Sequence, residues 1–418
     1  DVAALEGHAS FADAMMRRQM LESVAVVDTL LDELAEALRP LVQREVGALE
    51  ALAASQGFLG RLQPWDLDYW EERLREVSCA VDEEALREYL ALPRILDALF
   101  GLASRLFGLR VTHVAWPPEL GGQTEAALYN VSDAETGRLL GSFILDPHGE
   151  DESTSTLVPR STQTLPRELI SLRLPMPEPG EPCLLRLKNV ESLFHEFGHA
   201  LATMCTDRFE FSQLERDNIE VVSLFMECWM YHRPTFDAFA MHHRTGAPLP
   251  PGAFGNIVQG ARLGSARLLL WYVARAALDM ELHARCPDPL TEHSLLEAER
   301  RVLAAVAGVA PHGAECWTCI FDHIFDGDAY AANEYAYVWG QVLAWDAFSA
   351  FEEAAALDEA AECPSRVEAL GRRFRATVLG VDAARPFLEV YREFRGRDPE
   401  IAALLRHKTS IVVASPSQ

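Results

Sequence analysis

The residues His195-Glu196-Phe197-Gly198-His199 restrict what this chain can fold into more than any other part of its sequence. They read H-E-x-x-H, and the apolar residues around them recur at helical spacing, which predicts a helix. Residues i and i+4 of a helix lie on one face, so the imidazoles of His195 and His199 can bind a single Zn²⁺. Glu196 then lies beside the metal and can accept a proton from an attacking water. The motif therefore predicts a catalytic zinc site.

A third zinc ligand is expected elsewhere, because catalytic zinc usually keeps three protein ligands and one open position. Glu220 is the best candidate, since it borders the apolar stripe of a second predicted helix between residues 215 and 229. An inward-facing carboxylate needs a partner, and a metal would supply one. Glu227 remains an alternative third ligand, and a chance match is the alternative to the whole site, because the chain has 13 histidines. His242 and His243 are interpreted as a solvated helix end.

The segments around these residues resemble those of the M3 zinc oligopeptidases. The resemblance begins with residues 193–201 and with the Glu-Arg-Asp-x-x-Glu run that ends at Glu220. It continues in residues 64–74, 84–100, 335–339 and 403–407, and so covers nearly the whole chain. The resemblance implies a mainly α, zincin-like helical metallopeptidase fold with a small antiparallel β-sheet beside the active-site helix. It also implies a zinc-dependent endopeptidase that hydrolyses internal bonds of short peptides.

The resemblance assigns roles to a Tyr/His segment near the end of the chain. Tyr337 matches the family's oxyanion-stabilising tyrosine, His323 a substrate-binding histidine that can assist catalysis, and Tyr330 a substrate-contacting tyrosine. Peptide hydrolysis profits from such a donor in addition to the metal. For Tyr337, aromatic packing at a helix start remains the alternative. Glu334 replaces the first tyrosine of the family's pair, and this carboxylate is expected to lower activity unless it points away or pairs with a cation.

The opening of the chain resembles the middle of an M3 peptidase, whose members usually have a further helical half upstream. The chain is therefore predicted to be a C-terminal catalytic portion. The alternative is a catalytically weak or inactive zinc-binding subunit, which would need the missing N-terminal half or a partner chain to complete the substrate channel. A second alternative is a purely structural zinc site, although no fourth ligand is evident near the motif.

Composition and periodicity divide the chain into four predicted parts. Residues 1–107 are a helical region that leads into the catalytic domain, and residues 108–187 are a small β-sheet with loops. Residues 188–407 are the helical zinc-peptidase core, and residues 408–418 are a flexible tail. Residues 168–174 are expected to be an edge strand, to which the resemblance assigns main-chain pairing with the substrate.

Net charge and cysteine content indicate which binding partners and which cellular compartment to expect. A net charge of −26 argues against nucleic acid and anionic membranes as partners. Eight scattered cysteines predict no disulfide framework and a reducing environment. The expected location is therefore intracellular, in the cytoplasm or an organelle matrix such as that of mitochondria. Cys316-Trp-Thr-Cys319 is interpreted as a buried structural pair, with a redox or metal role as the alternative.

Overall fold

The computed structural model describes residues 2–79, 82–116, 126–149, 154–157, 165–206, 215–285, 291–307, 316–327, 330–361, 365–380 and 385–408. Within these ranges α-helix predominates, and the strands form one small sheet. The predicted mainly α fold is therefore confirmed. The division into four parts stays a prediction, and all of the predicted tail except Lys408 lies outside the described residues.

The described chain before the sheet is helical, as the periodicity predicts. Local signals set several helix ends. Ser23 accepts a hydrogen bond from the amide of Val26, and Asp82 from those of Glu84 and Ala85. Gly108, at φ 64°, ends the last of these helices in the left-handed conformation that glycine tolerates. The helices are α1 (Val2–Leu5), α2 (Phe11–Met16), α3 (Val24–Ser55), α4 (Pro64–Cys79), α5 (Glu83–Arg87) and α6 (Leu92–Phe107).

The predicted small sheet is present and its first three strands pair antiparallel, but the whole sheet is mixed, because one further pairing is parallel. Its strands are β1 (Leu109–Val114), β2 (Ala127–Asp133), β3 (Leu139–Asp146), β4 (Thr154–Leu157) and β5 (Arg167–Ser171), in the order β1-β2-β3-β5-β4. Antiparallel pairing joins β1 to β2, β2 to β3 and β4 to β5. β5 pairs with β3 in parallel, because the chain first passes through β4 and then returns in the direction of β3.

The expected edge strand at residues 168–174 occupies a different place in the sheet. β5 lies between β3 and β4, and both of its edges are hydrogen-bonded, so β4 forms this edge in the described part of the chain. Glu168 and Ile170 of β5 are also buried, at 3% and 1% exposure. β5 therefore has no free row of main-chain groups for a substrate strand, and the expected pairing role is not carried over to it.

The described chain after the sheet is again helical. Its α-helices are α7 (Leu187–Cys205), α8 (Val221–Met230), α9 (Arg233–Phe239), α10 (Ala253–Arg262), α11 (Ser265–Ala284), α12 (Glu292–Val306), α13 (Tyr335–Ala361), α14 (Ser365–Phe374), α15 (Phe387–Arg395) and α16 (Ala402–Lys408). Short 3₁₀ turns cover Arg216–Asn218, Trp317–Cys319 and His323–Phe325, and a π-helical turn covers Arg375–Leu379. None of the described helices combines the length and apolar character that crossing a membrane requires.

Aromatic packing fixes α7, the helix of the H-E-x-x-H motif, against the sheet. The ring centroid of Phe197 lies 5.8 Å from that of Phe143 on β3 and 5.8 Å from that of Phe100 on α6. Phe197 is 1% exposed, and burial of such a side chain contributes roughly 1.5–3 kcal/mol. Because Phe197 stands between the two motif histidines, its burial turns their face of α7 away from the sheet.

The interpretation of the C-x-x-C as a buried structural pair is wrong. Cys316 and Cys319 form a disulfide, and Cys319 is exposed. The 3₁₀ turn between them brings their Cα atoms to 5.2 Å, which is within the range that a disulfide needs. Cys79, Cys183 and Cys228 are free thiols.

Candidate active site

α7 places both motif histidines and Glu196 on the wall of a cavity of about 1430 Å³. His195 and His199 are partly exposed, with 23% and 22% of their side-chain surfaces accessible. Their Nε2 atoms are 3.1 Å apart, as two ligands of one ion would be. Glu196 is more buried, at 6% exposure. Burial raises the pKa of its carboxyl group, while the two histidines lower it and Glu220 and Glu227 raise it further.

Gly198 lets α8 approach this face of α7. A Cβ atom at Gly198 would lie 2.6 Å from Cα of Ser223 and 2.9 Å from the carbonyl oxygen of Val222, both of which are backbone atoms. The missing side chain therefore permits close contact at the start of α8. Glu220 is the N-cap residue of α8, and its Oε2 lies 3.4 Å from Nε2 of both motif histidines.

The three ligand atoms offered by His195, His199 and Glu220 lie within 4.8 Å of one another. Burial raises the pKa of Glu220, but the hydrogen bonds from the two histidines outweigh it and hold the pKa far below its usual value. An ionised carboxylate and two imidazoles are a donor set that suits Zn²⁺. The predicted trio is therefore brought together, and its chemistry fits a metal ion of this type.

Glu227, the alternative third ligand, contacts the other nitrogen of His195. Its Oε1 accepts a hydrogen bond from Nδ1 of His195 at 2.7 Å. Burial lowers the pKa of His195, but the hydrogen bonds to Glu220 and Glu227 raise it to about 10. A carboxylate on the second nitrogen fixes the ring and its tautomer, as partners of metal-binding histidines usually do. Glu227 therefore orients His195 and does not join the trio.

A second group, Glu88, His242 and His243, also has potential ligand atoms close together. The interpretation of these histidines as a solvated helix end is wrong, because they lie in a turn and the side chain of His243 is only 5% exposed. Nε2 of His243 is 2.8 Å from Glu88, and Nδ1 of His242 accepts the amide of Arg244. These contacts hold both rings against the surrounding chain.

The groups predicted in the second half of the site face the same cavity as the motif. His323, Tyr330 and Tyr337 all line it. Nε2 of His323 lies 3.2 Å from the hydroxyl of Tyr337, and the ring centroids of His323 and Tyr330 are 4.2 Å apart. We call the described residues 316–327 and 330–337, which carry these three side chains, the aromatic segment. It brings a phenol and an imidazole into mutual contact beside the metal trio.

The surroundings of Tyr337 and His323 keep both side chains uncharged near neutral pH. Burial raises the pKa of Tyr337 well above its usual value, and Glu220, Glu334 and Tyr330 raise it further. Burial and the nearby Arg275 lower the pKa of His323, against the opposite effect of neighbouring carboxylates. A neutral phenol can donate its hydroxyl proton in a hydrogen bond to developing negative charge.

Glu334 does not add an unpaired charge to the site, because it pairs with a cation. Its Oε1 lies 2.5 Å from Nη2 of Arg275, and its side chain is 1% exposed. Burial raises the pKa of Glu334 to about 7, while Arg275 lowers it. No sequence signal pointed to this partner, since Arg275 lies on α11, far from the motif, and an arginine on a helix is usually solvated.

Comparison with known proteins identifies the family. A model of peptidase family M3 matches residues 1–410. The chain belongs to peptidase family M3. The resemblance seen in its motifs is thereby confirmed, and M3 peptidases are metallopeptidases, which agrees with the presence of a candidate metal trio.

Two plant relatives are similar to this M3 chain over almost all of its length. It is 34% identical to "Probable cytosolic oligopeptidase A" of Arabidopsis thaliana, over 97% of this chain and 59% of the relative. It is 33% identical to "Organellar oligopeptidase A, chloroplastic/mitochondrial" of the same organism, over 99% of this chain and 54% of the relative. The chain thus spans little more than half the length of these relatives.

A solved structure shares the fold. The M32 carboxypeptidase from Deinococcus radiodurans R1 superposes with a TM-score of 0.53 at 15% identity, over 97% of this chain and 70% of that one. At this identity the likeness concerns the fold alone. It agrees with the expected mainly α architecture.

Proposed function

We propose that this chain is the catalytic portion of a zinc-dependent oligopeptidase that hydrolyses internal bonds of short peptides. One observation carries the proposal: His195, His199 and Glu220 converge on one point at the wall of a cavity that Glu196, His323 and Tyr337 also line. A cavity of about 1430 Å³ has room for several residues of an extended peptide. Membership of the M3 family supports the same reaction class.

In this proposal His195, His199 and Glu220 hold Zn²⁺, and Glu227 orients His195. When bound, zinc supplies a Lewis acid that polarises the scissile carbonyl. Glu196 accepts a proton from the attacking water and passes it to the leaving amine. The hydroxyl of Tyr337 donates a hydrogen bond to the developing oxyanion, and Nε2–H of His323 donates to the Tyr337 oxygen, which directs the phenolic proton at the substrate. Tyr330, at the rim of the cavity, contacts the bound peptide.

The proposed setting is the cytosol or an organelle matrix, in line with the printed names of the two relatives. The proposed partners are short peptides, with no nucleic acid or membrane. A second candidate function is a catalytically weak zinc-binding subunit that needs an N-terminal half or a partner chain. The observation in its favour is that the chain spans only 54–59% of the relatives' length.

Metal removal and product mapping test the proposal. The purified chain is treated with a chelator, resupplied with Zn²⁺, and assayed at each stage on a quenched-fluorescent peptide of about nine residues. Cleavage should disappear with the metal and return with it, and mass spectrometry of the products should locate the cut at internal bonds. Release of terminal residues alone would contradict endopeptidase action. Stoichiometric zinc without turnover would favour the subunit that needs another chain.

A further inference from the structure

Arg275 of α11 touches both ends of the aromatic segment. Its guanidinium lies 5.4 Å from the ring centroid of Trp317 and 4.1 Å from that of Phe321, close to the start of the segment. Its Nη2 lies 2.5 Å from Oε1 of Glu334, near the end of the segment. Cation–π contacts and ion pairing are both open to an arginine that is largely shielded from water. One side chain thus joins two parts of the segment that are distant in sequence.

Burial of this ion pair costs free energy unless the two charges stay in contact. The position of Glu334 is therefore coupled to that of Arg275. The Glu334 side chain is 1% exposed and that of Arg275 is 16% exposed. Neither Glu334 oxygen has a well-aligned hydrogen-bond donor among the residues that the structure describes, so the compensation comes from the charge of Arg275. Removal of one partner from a buried pair leaves the other uncompensated, whereas removal of both is often tolerated.

The backbone beside Glu334 is held by the same helix. One turn after Arg275, Asp279 accepts hydrogen bonds from the amides of Ala332 at 3.0 Å and Glu334 at 2.9 Å. Ala332 has φ 58°, a left-handed conformation that is unfavourable for any residue with a Cβ atom. Such a conformation persists when its surroundings fix it from several sides. α11 supplies that fixation through Asp279 and Arg275.

The two contacts of Arg275 lie next to the two reactive side chains of the segment. The ring of Phe321 is 5.5 Å from that of His323, and Glu334 directly precedes α13, whose third residue is Tyr337. His323 and Tyr337 meet at 3.2 Å. Arg275 itself is not part of the cavity wall in the described structure. It can therefore influence the site through its neighbours and not by contact with substrate.

We propose that Arg275 is a positioning residue, which through its ion pair with Glu334 and its contact with Phe321 holds His323 and Tyr337 in mutual register. The role in catalysis rests on the peptidase function proposed above, whereas the role in ordering the segment does not. Loss of either Arg275 or Glu334 then breaks the same ion pair and loosens the same part of the segment.

A mutant cycle tests the catalytic part of this proposal. At about pH 8, above the pKa of Glu334, Arg275→Gln and Glu334→Gln should each lower kcat roughly tenfold to hundredfold, with KM and zinc content unchanged, and the double variant should be no worse than Arg275→Gln alone. In a Tyr337→Phe background, Arg275→Gln should cause no further loss. Arg285→Gln, which removes an exposed arginine at the end of the same helix, is the matched control and should leave kcat unchanged. Additive losses, or an equal further loss in the Tyr337→Phe background, would overturn the proposal.

Hydrogen exchange tests the ordering part without relying on turnover. In Arg275→Gln the amides of residues 330–337 should exchange at least about tenfold faster than in the wild type, while those of α7 keep their rates. Arg275→Lys, which retains the charge, should restore part of the protection and covers the case in which the glutamine variant does not fold. Unchanged exchange at residues 330–337 would refute the positioning role. If the wild type were inactive but exchange still increased in Arg275→Gln, the proposed peptidase function would be refuted and the ordering role of Arg275 would stand.

Discussion

At the scale of single residues, the two carboxylates that the sequence offered as third ligand, with Glu220 preferred over Glu227, contact different nitrogens of His195. Glu220 approaches Nε2, on the side of His199, and Glu227 binds Nδ1 on the opposite side of the ring. Helical periodicity suggested that both glutamates could lie near the motif, but it does not show which nitrogen of His195 each carboxylate contacts. That information depends on how α7 and α8 cross, which is a tertiary property.

This difference predicts unequal effects on metal affinity. Glu220→Ala should remove the metal, because two imidazoles remain as the protein ligands. Glu227→Ala should keep the metal but weaken its binding about 10–100-fold, since it frees the orientation of one ligand ring. Zinc titration monitored by a competing chromophoric chelator measures both. Tighter binding by Glu220→Ala than by Glu227→Ala would reverse the assigned roles.

The contact between Tyr337 and His323 predicts a loss confined to the chemical step. Tyr337→Phe should lower kcat about 10²–10³-fold with KM nearly unchanged, because the lost hydrogen bond forms in the transition state. Tyr69→Phe is a suitable control, since Tyr69 is 61% exposed on α4. Steady-state kinetics on one peptide would decide the point. A rise in KM at constant kcat would make Tyr337 a binding residue.

At the scale of secondary-structure elements, the crossing of α7 and α8 determines whether Glu220 reaches the histidines. The sequence predicted both helices from their apolar stripes, and it predicted that the chain before the sheet is helical. It did not predict that Gly198 marks the crossing, because a glycine in a helix has several possible causes. It also did not predict the parallel pairing of β5 with β3, because tertiary packing determines which strands pair.

Gly198→Ala should therefore disturb the metal site, although the changed residue binds no metal. The added Cβ would meet the backbone of Ser223 at 2.6 Å, so α8 must shift and carry Glu220 away. We expect a loss of about 1–3 kcal/mol in unfolding free energy, together with weaker zinc binding. Denaturant unfolding and zinc titration measure the two effects.

Gly101→Ala provides the matched control, since Gly101 lies in α6 with no atom within 4 Å of an added Cβ. It should stabilise the protein by about 0.4–1 kcal/mol, because alanine restricts the unfolded chain and favours helix. Unchanged stability and zinc affinity in Gly198→Ala would contradict the close-crossing explanation.

At the scale of the whole molecule, the buried Arg275–Glu334 pair links stability to pH. The folded-state pKa of Glu334, about 7, lies above the usual glutamate value of 4.5. Between these values the unfolded chain ionises Glu334 while the folded chain keeps it protonated, so stability falls as the pH rises through this window. The loss is on the order of 3 kcal/mol, since one pKa unit corresponds to about 1.4 kcal/mol.

Glu334→Gln should remove this part of the pH dependence. With the metal chelated in both proteins, raising the pH from about 5 to about 8 should therefore destabilise the wild type more than the variant. Denaturant unfolding at the two pH values gives the difference. Parallel pH profiles for the two proteins would show that Glu334 titrates at its ordinary value.

The proton acceptor Glu196 provides the most direct test of the whole account. Turnover of an internally quenched peptide should be measured for the wild type and for Glu196→Gln, with zinc content determined on the same samples. We predict turnover by the wild type, a loss of at least about 10²–10⁴-fold in Glu196→Gln, and equal zinc in both. Comparable turnover in the two proteins, at equal zinc content, would contradict the central role assigned to this motif.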